Sequence, residues 1–138
     1  MKKLVLLAAL LLVICAASMA LVSASDSIDG LNTTDDLNQA LKDAKDLNKS
    51  VMIVFDQDSC VYCDIFKQDV LSNPNVQKVL NDKYIVAVVD INKNPDVATK
   101  YKVFGTPITV FVNGDGSEIS RVEGCPHADE FLNLIKGI

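Results

Sequence analysis

Apolar residues are distributed along the chain in three ways. One long run, residues 4–17, follows Lys2 and Lys3 at the N-terminus. Short blocks at residues 51–55, 84–90 and 108–112 are nearly continuous in apolar and β-branched side chains. Such blocks predict strands buried on both faces. Between them the apolar positions recur at helical spacing. Leu37, Leu41, Ala44 and Leu47 predict a helix reaching about Lys49, with Thr33 or Thr34 as its cap and Asp35 and Asp36 in its first turn. Cys63, Phe66 and Val70 predict a helix over residues 60–71. Pro74 and Pro95 each sit where proline opens a helix. Asn113-Gly114-Asp115-Gly116 is a hairpin signal, so residues 118–122 return as a fourth strand. A last helix covers residues 128–135, with Phe131, Leu132 and Ile135 on one side. The order α-β-α-α-β-α-β-β-α predicts an α/β fold, a mixed central sheet flanked by helices that ends in a β-hairpin and a helix.

The N-terminal run changes the domain count. Two lysines, an apolar stretch and Val22-Ser23-Ala24 have the layout of a secretory signal peptide cut after Ala24, with a second possible cut after Ala20. The alternative is a retained anchor, since residues 4–22 carry no charge and just suffice to span a bilayer. Cys15 belongs to the apolar run. The expected organisation is therefore a leader or anchor over 1–24, a short polar linker over 25–32, and one domain over 33–138. Export places the domain where disulfides persist. Asn32-Thr33-Thr34 and Asn48-Lys49-Ser50 are glycosylation sequons, relevant only in a host that glycosylates exported proteins.

The whole chain has 138 residues and a net charge of −5; loss of Lys2 and Lys3 with the leader leaves −7. An acidic domain lacks the basic stripe that nucleic-acid binding needs. No nucleotide, flavin or other cofactor motif is visible.

The informative chemistry is Cys60-Val61-Tyr62-Cys63, placed where a buried strand hands over to a helix. Two intervening residues on a first helical turn bring the sulfurs within bonding reach. The first cysteine meets the unpaired N–H groups and positive end of the helix, which favour a thiolate. The second lies one turn in, further from water. That asymmetry suits reversible thiol–disulfide exchange. A structural disulfide, or half of a metal site, is the alternative.

From Thr33 to the C-terminus the chain resembles the thioredoxin family. It is most similar to the exported thioredoxin-like proteins, including the C-terminal domain of transmembrane thiol–disulfide reductases. The strand before the cysteine motif, Val88-Val89-Asp90-Ile91-Asn92, Gly105-Thr106-Pro107 and Gly114-Asp115-Gly116 carry the match in order. The resemblance implies that Cys60 and Cys63 are catalytic and that Pro107 is cis against the disulfide. It also implies that Thr106 offers its backbone to an extended substrate and that Gly124 helps build the surface there. Tyr62, between the cysteines, is expected to be exposed and able to touch a substrate. Phe104 could do the same, although Phe55, Phe66, Phe104, Phe111 and Phe131 all read as core positions. The chain departs from the family in having no tryptophan. The family's buried aspartate aligns with Val54, and its lysine partner with Val88. Asp56, Asp58 or Asp64 could substitute for that carboxylate, with Asp58 as an auxiliary candidate. These acids oppose a thiolate, and only Lys67 is basic nearby, so the sequence leans towards a reductant or isomerase rather than a strong oxidant.

Cys125 is either a third redox thiol or a small semi-buried side chain. His127 either meets a carboxylate near the site or simply begins the last helix. Cys60, Cys63, Cys125 and His127 also form a Cys₃His set, at a spacing unlike structural zinc sites. The expected partners are disulfide-containing client proteins and a membrane electron donor, with the domain acting as a monomer. A peptide-binding, chaperone-like module with a structural disulfide is the second reading.

Overall fold

The computed structural model describes residues 28–138; the expected leader over 1–24 lies outside them. The elements are β1 (Thr33–Thr34), α1 (Leu37–Leu47), β2 (Ser50–Asp56), α2 (Val61–Ile65), α3 (Pro74–Lys83), β3 (Tyr84–Asp90), α4 (Pro95–Lys100), β4 (Ile108–Val112), β5 (Glu118–Glu123) and α5 (Ala128–Gly137). α2 continues directly into a π-helical stretch, Phe66–Leu71. The sheet order is β1-β3-β2-β4-β5. β1 and β2 pair with β3 in parallel, while β4 pairs antiparallel with both β2 and β5.

β2 is the pivot. Its apolar run is buried from Val51 to Phe55, because helices cover both faces of the sheet. Met52 and Val54 face the layer made by α2, α3 and α5, with Phe66, Phe111 and Phe131. Val51, Ile53 and Phe55 face α1 and α4. Phe131 meets Phe66 edge-on at a centroid distance of 5.2 Å, a geometry that adds to the area both rings bury. Among the described residues, no helix is long and apolar enough to cross a membrane.

The structure corrects three sequence expectations. Thr33 and Thr34 do not cap α1. They pair with Val86 and Ala87 as an edge strand, and Asp36 caps instead, its carboxylate accepting the Gln39 N–H at 3.0 Å. Residues 25–32 are not wholly a polar linker, because Ile28 and Leu31 pack into the core beside α3. Phe104 is not a core residue: it is 86% exposed. Lys102 turns the backbone at φ 54°, Val103 takes the inward position, and the next side chain is sent outward.

One buried group lacks a partner. Thr109, opposite Val54 on β4, is fully buried, and its hydroxyl has no hydrogen bond among the described residues. An unpaired buried hydroxyl costs about 1–3 kcal/mol. Thr109→Val is therefore expected to raise the unfolding free energy by about 1 kcal/mol in urea titrations. A comparable loss would mean that the hydroxyl is satisfied after all.

Candidate active site

The site forms where β2 ends. After Asp56 the chain turns through Gln57, Asp58 and Ser59, and Ser59 has φ 62°. Cys60 then caps α2 with its own sulfur: the Cys63 N–H donates to Cys60 Sγ at 3.2 Å. The N-cap position usually belongs to an oxygen-bearing side chain. Here sulfur takes it, so an N–H at the helix start, which also donates to the Cys60 carbonyl at 3.0 Å, points at the atom that would carry negative charge.

Cys60 and Cys63 are joined by a disulfide, with sulfurs 2.06 Å and Cα atoms 5.2 Å apart. The two differ in access. Cys60 is half-buried, whereas Cys63 is 1% exposed and sits in the core face of the helix. On the other side of Cys60 the chain passes through Thr106 and Pro107, joined by a cis peptide bond. The Thr106 hydroxyl donates to Cys60 Sγ at 3.3 Å. Gly124 ties the end of β5 to this loop, its N–H donating to the Pro107 carbonyl at 2.9 Å. Gly124 has φ 80°, a backbone conformation that favours glycine. Cys60, Cys63, Thr106, Pro107 and Gly124 are thus brought into one contiguous site. Val61 and Tyr62 flank it, 67% and 66% exposed.

The remaining candidates separate. Asp58 and Asp64 are exposed. Asp56 is buried, and its carboxylate and both sulfurs lie within 4.8 Å of one another. Asp56 also forms an ion pair with Lys67. The side-chain alternation of β2 could have revealed this, since residues 52, 54 and 56 share the face that meets α2. Val54 and Val88 are buried register partners within the apolar layer. Cys125 is a free, half-buried thiol packed against that layer. Burial pushes its pKa up, and the charge of Asp69 adds to the effect, so it stays a neutral thiol at neutral pH. His127 is exposed at the N-cap of α5 and makes no capping bond with its side chain. The Cys₃His set does not assemble. Among the described residues the mutually close metal-type donors are Asp56, Cys60 and Cys63, without Cys125 or His127.

Comparison with known proteins gives the same picture. A thioredoxin-like domain family profile matches residues 37–138. The thiol:disulfide interchange protein DsbD of Escherichia coli (strain K12) is 40% identical over 106 residues, covering 73% of this chain and 18% of DsbD. The chain therefore spans about a fifth of the length of that relative. A thioredoxin from Thermus thermophilus superposes with a TM-score of 0.71 at 30% identity, covering 78% of this chain and 86% of that one. The C-terminal domain of Neisseria meningitidis DsbD in its oxidised form shares the fold, with a TM-score of 0.65, 23% identity, and coverage of 77% and 98%. With the sulfur-capped helix, the cis-proline loop and the mixed sheet all in place, the chain belongs to the thioredoxin-like domain family.

Proposed function

We propose that this domain exchanges disulfides with client proteins outside the cytoplasmic membrane, acting as a reductant or isomerase. The observation that carries the reading is the unequal pair of sulfurs. Cys60 is half-buried and accepts two hydrogen bonds, while Cys63 is buried behind it. In the reduced protein the Cys60 thiolate attacks a client disulfide. One client sulfur leaves as a thiolate and takes a proton from water, and the other stays bonded to Cys60. Cys63 then attacks Cys60, the second client thiol departs, and the Cys60–Cys63 disulfide is regenerated. The likeness to a protein named for thiol:disulfide interchange supports disulfide exchange as the chemistry. Turnover requires a dithiol donor, for which a membrane reductase is the natural class. The leader-like residues 1–24 support export, whether removed or kept as a tether.

The charges around the sulfurs support the direction. Lys67, the nearest basic residue in the sequence, is engaged by Asp56 and adds little net positive charge at the sulfurs. A strong oxidant depends on a heavily stabilised thiolate. The reduction potential is expected to lie below about −120 mV when equilibrated against glutathione, and a value at or above that figure overturns the direction.

The exposed apolar side chains of Val61, Tyr62 and Phe104 favour a second reading, a peptide-docking module whose disulfide is structural. A Cys63→Ser variant separates the two. Exchange predicts that it accumulates clients as mixed disulfides through Cys60 while the wild type reduces insulin. No trapped client together with no insulin reduction removes the exchange reading. Aggregation suppression that survives loss of both cysteines favours docking. Phe104→Ala is expected to leave stability within about 0.5 kcal/mol, because the ring is 86% exposed. It should raise KM for a protein client about five- to tenfold and leave a small disulfide reagent unaffected.

A further inference from the structure

Asp56 is the one buried charged residue among the described residues. Burying a carboxylate costs several kcal/mol unless it is paired and hydrogen-bonded. Both conditions are met: Oδ1 accepts the Gln57 N–H at 2.6 Å, and Oδ2 faces the Lys67 ammonium. An apolar residue would fill the end of β2 without those requirements, and the next inward position on the same face, Val54, is filled that way. The carboxylate is instead held within 4.8 Å of both redox sulfurs.

The two sulfurs have different needs. Cys60 already receives an N–H from Cys63 and an O–H from Thr106, and a nearby carboxylate opposes its thiolate. Cys63 is sealed from solvent, yet its thiol must lose a proton before it can attack. The Asp56 carboxylate lies within 4.8 Å of that sulfur, and catalytic hydrogen bonds that are long at rest tighten as the reaction proceeds. Other charged groups near Asp56 are otherwise committed or exposed. Asp90, its register partner on β3, is half-buried. Burial works against Asp90 ionisation, but the N–H groups of Lys93 and Asn92 and the Lys93 ammonium outweigh it and lower its pKa. Asp58 and Asp64 are exposed, and Thr106 and Pro107 bring no charge from the side of β4.

We propose that Asp56, held and charge-balanced by Lys67, takes the proton of the Cys63 thiol as the mixed disulfide is resolved. This rests on the exchange reading above. The Cys63 S–H bond breaks and its proton passes to the Asp56 carboxylate. The Cys63 thiolate attacks Cys60 Sγ, the intramolecular S–S bond forms, and the bond from Cys60 to the client sulfur breaks. The electron pair leaves on the client thiolate, which is protonated by Asp56 or by water. Lys67 is a positioning residue and remains charged throughout.

The test is a single-turnover measurement on the full chain. The reduced protein is mixed with a symmetrical chromophoric aromatic disulfide: Cys60 takes one half as a mixed disulfide, the other half leaves as its thiolate, and release of the bound half by Cys63 is followed from about pH 6 to about pH 8. In the wild type, release is expected to vary little over this range. In Asp56→Asn it should slow at least tenfold at neutral pH and rise about tenfold per pH unit, as hydroxide replaces the lost base. Asp56→Glu should recover at least a third of the lost rate. Alkylation of Cys60 in the reduced protein, which reports the first attack, should not slow, because loss of the carboxylate charge favours the Cys60 thiolate. Lys67→Gln, which removes the group that holds the carboxylate in place, should slow release at least fivefold at neutral pH, and Lys67→Arg should restore most of it; this readout also serves if Asp56→Asn folds poorly. Release from Asp56→Asn within about threefold of wild type, with the same pH profile, overturns the proposal, as does release from Lys67→Gln within about threefold of wild type. The adduct is loaded chemically, so these outcomes stand apart from any failure to find clients or reduce insulin.

Discussion

The site depends on the bond from the Cys63 N–H to the sulfur of Cys60. At this helix start the Cys63 N–H is shared between the Cys60 carbonyl oxygen and the Cys60 sulfur, the atom that does the chemistry. Capping and activation are one interaction. The bond works only if the helix is aimed correctly, and the aim comes from β2. That strand is central in the sheet and buried on both faces, so the point where the chain leaves it is fixed by packing above and below. The Thr106 hydroxyl arrives on the loop that leads into β4, which pairs with the same strand, and completes the surroundings of the sulfur from the opposite side.

The same strand explains how one sulfur is reachable and the other is not. Cys63 points inward with Phe66 and Val70, on the helix face that covers Met52 and Val54. Cys60 sits at the rim, where the sheet ends and the Thr106–Pro107 loop begins. The exposed Val61 and Tyr62 occupy the two positions between them. Separation of the cysteines by one helical turn therefore becomes a difference in burial, with Cys60 half-buried at the rim and Cys63 in the core.

Much of this was legible in the residue pattern. The buried strands, the hairpin and the cysteine pair announced themselves through apolar runs, Asn-Gly spacing and placement at a strand–helix junction, all of which are local signals. What escaped was set by partners distant in sequence. Thr33 and Thr34 look like caps until β3 offers them a ladder. Phe104 reads as core because phenylalanine usually is, and only the backbone turn at Lys102 reverses it. Asp56 and Lys67, eleven positions apart, look like two solvated charges. Their meeting follows from the side-chain alternation of β2 combined with the register of a helix that begins at a sulfur cap, and neither cue is sufficient alone.

The two rims of the sheet carry a consequence for behaviour at high concentration. One rim is β1, a strand of only two residues. The other is β5, where Arg121 is held by Glu118 and Glu123 stands exposed beyond them. Short and charged borders are poor templates for lateral strand addition. Among the described residues, the sheet thus offers little for another copy to extend, which disfavours stacking into fibrillar aggregates.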